Sequence, residues 1–196
     1  ILLSSLENIR YLCGFTGSDG ALILTQKESF FLTDSRYWTQ AEEEVRGSQI
    51  VHYRKKMDGI ASFLLESKLK NIGFESTSVT FSFHRSLSEK LANEANLVSL
   101  EDEIKNLRAV KNAQELASIR TAIDISSESF KHIMGMVKEG VSEREVALEM
   151  EFFMKSKGAE AVGFDIIIAS GRRSAFPHWR ASKKRIEKGD LILIDY

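Results

Sequence analysis

Cysteine is almost absent from this chain: Cys13 is the only one in 196 residues. Intramolecular disulfides and zinc sites built from cysteine pairs are therefore excluded. The lone thiol fits a reducing compartment, so a cytoplasmic location is expected, and it reads as a small buried side chain. Excess charge of either sign is also missing, with 27 Lys and Arg against 28 Asp and Glu. The overall field would draw such a chain to neither nucleic acid nor an anionic membrane. No apolar stretch approaches the ~20 residues needed to span a bilayer. There is no internal repeat, no low-complexity tract, no signal-peptide architecture and no Gly-x-Ser-x-Gly nucleophile elbow. The chain opens at Ile1 in mid-pattern, and residues before it are expected in the native protein.

What is present is an ordinary globular balance, 43% hydrophobic and 28% charged, enough for one large core or two modest domains. The first hundred residues alternate short apolar runs with amphipathic stretches. Ala21–Leu24 and Ser29–Leu32 read as strands around a polar turn, Thr25–Glu28. Helices are expected over Tyr37–Val45, Gly59–Leu69 and Leu87–Glu94, with strands at Gln49–His52, Asn71–Phe74 and Leu97–Leu100. A hairpin followed by such units is the pattern of an α/β layered domain. Near residue 105 the pattern changes. Leu116, Ile119, Ile123, Ser126, Phe130, Ile133 and Val137 recur three and four apart, predicting one long helix with a continuous stripe, closed by Gly140. Ser142 and Glu145 then form a capping-box pair opening a helix that ends at Gly158. Two apolar strands, Asp165–Ser170 and Asp190–Tyr196, flank a long polar loop.

Taken one at a time, the polar motifs have ordinary explanations. Gly14–Gly20 resembles a phosphate-binding glycine loop, but a strand follows it, not the helix whose N-terminus would supply the anion site, so a structural turn is expected. Asp34 or Ser35 is expected to cap the helix after it, with Arg36 a solvated or ligand-facing cation. Lys183–Arg185 reads as a solvated loop. The four histidines have no metal-ligand spacing; His178 differs in following the only proline, Pro177, inside a loop. Asp195 ends the apolar run Leu191–Ile194. A carboxylate there is expected to be partly buried and to need a cation or several hydrogen bonds. A solvent-facing strand end is the alternative.

Three segments in order carry a family resemblance over essentially the whole chain. Asn8-Ile-Arg-Tyr-Leu-Cys-Gly-Phe-Thr-Gly-Ser-Asp-Gly20, with Phe31-Leu-Thr-Asp-Ser-Arg-Tyr37, resembles the N-terminal domain of Xaa-Pro aminopeptidases of the creatinase/prolidase type. Leu107–Leu116 looks like the approach to their catalytic domain. Phe164–Gly171, Ser174-Ala-Phe-Pro-His178 and Lys188-Gly-Asp-Leu-Ile-Leu-Ile-Asp195 are similar to the first part of that domain. The resemblance implies an α/β fold class: a small creatinase-type α/β domain over residues 1–105, then an incomplete α+β pita-bread metallopeptidase domain over 106–196. It also implies two divalent metals, manganese with zinc or cobalt as alternatives, lending Lewis-acid assistance to hydrolysis. Asp195 matches the family's first metal-binding Asp. His178 matches an active-site histidine that contacts substrate. Arg36 falls in a segment that can approach the active site of a neighbouring subunit, making it a substrate-binding candidate. Trp179 stands where Gly is common, and an indole there would crowd the pocket mouth or reorient His178.

By the same resemblance, the substrate is a peptide with proline in second position, whose tertiary amide general peptidases handle badly. A homodimer is expected, and no nucleic acid or membrane partner. The other metal ligands follow Asp195 in the family's order. One carboxylate cannot hold two metals that each take around six donors, so the 196-residue chain by itself is expected to be truncated and inactive. Its last strand is expected to lie unpaired, favouring dimerisation. The alternatives are a non-catalytic peptide- or protein-binding homologue and, among enzymes, an Xaa-Pro dipeptidase.

Overall fold

The structure, a computed structural model, describes residues 1–101 and 103–196. It comprises two compact units, Ile1–Val110 and Lys111–Tyr196. The first runs β1 (Leu2–Leu3), α1 (Leu6–Cys13), β2 (Ala21–Leu24), β3 (Ser29–Thr33), α2 (Trp38–Glu44), β4 (Gln49–His52), α3 (Lys56–Glu66), β5 (Asn71–Glu75), α4 (Phe81–Leu91), β6 (Asn96–Leu100) and α5 (Glu103–Ala109). The unit ends a little beyond residue 105 because α5 belongs to it. Ile104 packs against the core around Ile9 and Phe31, and Arg108 donates to Asn8 at 2.7 Å.

The strands form one mixed sheet in the order β4-β3-β2-β1-β5-β6. Alternation along the strands divides the core between its two faces. Leu2, Ile23 and Leu32 pack with Ile60 and Leu64 of α3 and Leu87 and Leu91 of α4. Their strand neighbours Leu3, Leu22 and Phe31 pack with Ile9 and Cys13 of α1 and Ala41 of α2. Cys13 is 2% exposed, and burial pushes its thiol above the ordinary value despite a hydrogen bond involving Phe15. The hairpin turn is held by Thr25, whose hydroxyl accepts from the N–H groups of Lys27 and Glu28.

Helix α2 starts without the expected side-chain cap. Its N-cap is Tyr37, because the Asp34 carboxylate is taken up by the backbone N–H and guanidinium of Arg36, an Asx-type turn that stops short of the helix. Helix α4 begins well before Leu87, since Thr80 caps it by accepting from Phe83 N–H at 3.2 Å.

The second unit runs α6 (Ala113–Met134), α7 (Glu143–Ser156), β7 (Ile167–Ser170), a 3-10 turn (Gly171–Ala175) and β8 (Ile192–Asp195). Helix α6 ends at Met134, earlier than expected, with Gly135 as its C-cap. Gly140 lies outside the helix at φ +87° and gives its N–H to Ile186 C=O at 2.9 Å. Only part of the predicted stripe is covered: Ile133 is buried, whereas Leu116, Ile119, Ile123 and Phe130 are exposed. The capping box of α7 forms as expected, Ser142 and Glu145 each serving the other's backbone N–H. Val146, Met150 and Met154 of α7 pack with Ile133, Ile166, Ile168 and Ile186. Strand β8 pairs antiparallel with β7, Ile167 opposite Asp195, so the last strand is not unpaired. Among the described residues no helix is long and apolar enough to cross a membrane.

Candidate functional site

The densest polar construction in the second unit centres on Glu143, the first residue of α7. Its side chain is fully buried. One oxygen, Oε1, accepts from the N–H and the hydroxyl of Ser170, both at 2.9 Å. The other, Oε2, accepts from the Ser182 N–H at 3.1 Å, the Ser182 hydroxyl at 2.7 Å and Trp179 Nε1–H at 3.2 Å. Arg173 Nη1 stands 3.6 Å from the same oxygen. Burial pushes the carboxyl up, but the donors from Ser182, Ser170 and Trp179 together push harder the other way and leave it below the ordinary glutamate value. An ionised carboxylate can be buried because every direction from it meets a donor.

The same network pins both ends of the long loop between β7 and β8. Lys184 Nζ donates to the Ser170 hydroxyl at 3.0 Å and to Asp190 at 2.7 Å. The hydrogen bond from Lys184, with the Glu187 N–H, holds the Asp190 carboxyl below its usual range. Arg185 Nη1 donates to Gly140 C=O. Within the basic run, Lys184 and Arg185 are therefore tied down onto the unit by Ser170, Asp190 and the Gly140 carbonyl, while Lys183 is exposed as expected of a solvated loop. Gly171 has φ +57°, and a Cβ there would stand 2.5 Å from Asp190 Oδ1, so close approach of this carboxylate requires glycine.

Within that loop, Trp179 N–H closes a turn onto Phe176 C=O at 3.3 Å, and His178 is exposed at its tip. Among the described residues nothing hydrogen-bonds the His178 imidazole. The Trp179 indole N–H is turned to Glu143, with the Arg173 guanidinium 4.8 Å over its ring.

Asp195 is exposed, contrary to the expectation of partial burial. Alternation explains it: Ile192 and Ile194 face the core around Ile168, which turns Leu193 and Asp195 to the opposite face of the two-stranded sheet. Among the described residues no group of three or more His, Cys, Asp or Glu side chains gathers as a metal centre. A lone carboxylate cannot complete a divalent site that takes around six oxygen donors. The residues present do not by themselves fit a two-metal group, and no chemical step is derived through one.

Arg36 belongs to the first unit. Its guanidinium is 2.8 Å from Asp34 and 3.0 Å from Asp19, and Lys56 also reaches Asp19, at 2.5 Å. The hydrogen bonds that Arg36 donates to Asp34, and the charge of that carboxylate, raise the Arg36 pKa further. Arg36 is thus a 62%-exposed cation already matched by two carboxylates.

Sequence reasoning missed Glu143, Ser170, Ser182 and Lys184. A signal existed only in retrospect: an acidic residue at the first position of a capped helix ordinarily serves the helix dipole in solvent, and nothing local distinguishes one folded inward.

Residues 1–110 match the creatinase/prolidase N-terminal domain family and residues 117–196 match metallopeptidase family M24. An Xaa-Pro dipeptidase of Pyrococcus horikoshii is 37% identical over 100% of this chain and 54% of its own length. Among solved structures, an Xaa-Pro dipeptidase from Bacillus anthracis superposes with TM-score 0.92 at 37% identity, covering 99% of this chain and 54% of that one. An X-Pro aminopeptidase from Thermotoga maritima gives TM-score 0.88 at 32% identity, over 99% and 57%. The chain thus spans about half the length of the relatives it matches.

Proposed function

Because the chain belongs to the creatinase/prolidase family, with its N-terminal domain joined to a segment of metallopeptidase family M24, we propose that it forms part of an Xaa-Pro peptidase. The observation carrying this is the match along all of its length to an Xaa-Pro dipeptidase at 37% identity. In this assignment Asp195 is a metal ligand: no cation among the described residues sits against its exposed carboxylate, whereas Lys184 occupies Asp190. His178 contacts the substrate from the tip of its turn. The two divalent ions, manganese with zinc or cobalt as alternatives, need donors beyond those gathered by the described residues. We therefore propose that these 196 residues alone do not turn over a peptide.

Between the two Xaa-Pro activities, the dipeptidase reading is supported by two Xaa-Pro dipeptidases of 37% and 35% identity that match along the whole chain, whereas an Xaa-Pro aminopeptidase of 35% identity matches only about half of it. A homodimer in which Arg36 approaches a neighbouring active site is part of the proposal, and Arg36 would then meet substrate as one member of a charge-matched cluster. The experiment uses the complete open reading frame containing this sequence, supplied with manganese, zinc or cobalt. Metal-dependent cleavage of an Xaa-Pro dipeptide in preference to an Xaa-Pro-Yaa tripeptide supports dipeptidase. The reverse preference supports aminopeptidase, and binding without cleavage of either supports a non-catalytic peptide-binding homologue.

A further inference from the structure

The turn that carries His178 has little of its own to hold it. Pro177 at its second position presets φ but has no N–H to give. His178 is exposed, and no described residue bonds its imidazole. The closing bond, Trp179 N–H to Phe176 C=O, is long at 3.3 Å. Phe176 N–H joins the turn to the preceding 3-10 turn through Arg173 C=O at 3.0 Å, and beyond that bond the side chain of Trp179 ties it to the body of the unit. Its indole N–H reaches Glu143 at 3.2 Å, one face lies 4.8 Å from the Arg173 guanidinium, and the Phe176 ring stands 5.8 Å away. The receiving carboxylate is itself immovable, since Ser170 holds one oxygen and Ser182 the other. Glu143 lies at the start of α7 and Ser170 at the end of β7, so the acceptor is fixed by two regular elements.

We propose that Glu143 is a positioning residue: through the Trp179 indole it holds the 176–179 turn and so sets the direction in which the His178 imidazole is presented. This deepens the assignment of His178 as a substrate-contacting residue and rests on it. The chemistry demands an ionised acceptor. A carboxylate offers lone pairs in every direction that these donors need, whereas a glutamine at 143 must set its NH₂ against a fixed N–H, that of Ser170 or those of Ser182 and Trp179.

Backbone 15N–{1H} NOE values, which report ps–ns motion, test the latch in the 196-residue chain without requiring turnover. Trp179→Phe keeps an aromatic ring and leaves the Glu143–serine bonds in place. The NOE is expected to fall at His178 and its neighbours while values in β7 and α7 keep those of the parent. Glu143→Gln is expected to give the same local fall together with a red shift of Trp179 emission, read in a Trp38→Phe background where Trp179 is the sole indole. A Trp179→Phe chain with unchanged NOE at residues 178–180 overturns the proposal, whether or not Glu143→Gln folds. Failure of peptide cleavage by the complete protein, with the NOE falling as described, would instead overturn the role of His178 and leave the latch standing.

Discussion

Glu143 and Ser182, 39 residues apart in the chain, are joined twice: one carboxylate oxygen accepts both the backbone N–H and the hydroxyl of the serine. With the matching pair from Ser170, this makes a side chain at the start of α7 the point on which the loop between β7 and β8 is hung. Removing it leaves the buried N–H of Ser170 and the partly buried N–H of Ser182 without acceptors, a loss of up to ~1–3 kcal/mol for each. Glu143→Ala is therefore expected to destabilise the second unit by about 3 kcal/mol or more, read as a lowered urea midpoint. A loss below about 1 kcal/mol would show that water or a rearranged loop replaces the carboxylate.

The same carboxylate gives a pH dependence with a definite sign. Its folded pKa is lowered, its donors outweighing burial, so its contribution is fully present above the unfolded value of ~4.3 and is lost as pH falls through the folded one. Urea midpoints of the parent are expected to decline below about pH 4 more steeply than those of Glu143→Gln, which has no proton to gain there. Parallel curves would contradict the assignment.

In α3, Gly59 offers a case where two rules oppose. Glycine to alanine in a helix interior ordinarily gains ~1 kcal/mol. Here a Cβ would stand 2.3 Å from Tyr53 Cβ, in a core where overpacking costs ~1–3 kcal/mol. Packing should win, because the obstacle is the root of a ring that is only 6% exposed. Gly59→Ala is expected to lower the melting temperature of the first unit; a rise would mean that β4 and α3 part easily.

The capping box of α7 is a smaller and cleaner test. Ser142→Ala removes the acceptor for Glu145 N–H at 3.2 Å and is expected to cost ~1 kcal/mol in the second unit, measured by denaturant unfolding. No measurable loss would assign the helix start to the Glu143 network alone.

That box was legible in the sequence because capping is local: Ser142 and Glu145 need only each other. The hairpin of the first unit was legible for the same reason, Ala21–Leu24 and Ser29–Leu32 standing out as short apolar runs around a polar turn. Features decided by distant partners were not. Gly140 looked like a helix stop, but its N–H is drawn to Ile186 and the helix ends at Met134. Asp34 looked like a cap, and Arg36 takes its carboxylate instead. Asp195 looked half-buried from the apolar run before it, yet strand alternation against Ile168 turns it outward. Glu143 was invisible, since burying a helix-start carboxylate depends on serines at 170 and 182 that share no pattern with it. His178 stood out locally by following the only proline and Asp195 by ending an apolar run, but the roles expected of them came from family likeness.

The most direct measurement is turnover by the complete protein carrying Asp195→Asn. With manganese and an Xaa-Pro dipeptide, hydrolysis is expected to fall by ~100-fold or more, beyond the 10–100-fold cost of losing an outer-shell partner, with metal content reduced in parallel. Full metal content and parental turnover in that variant would contradict the assignment of Asp195 as a metal ligand and the function built on it.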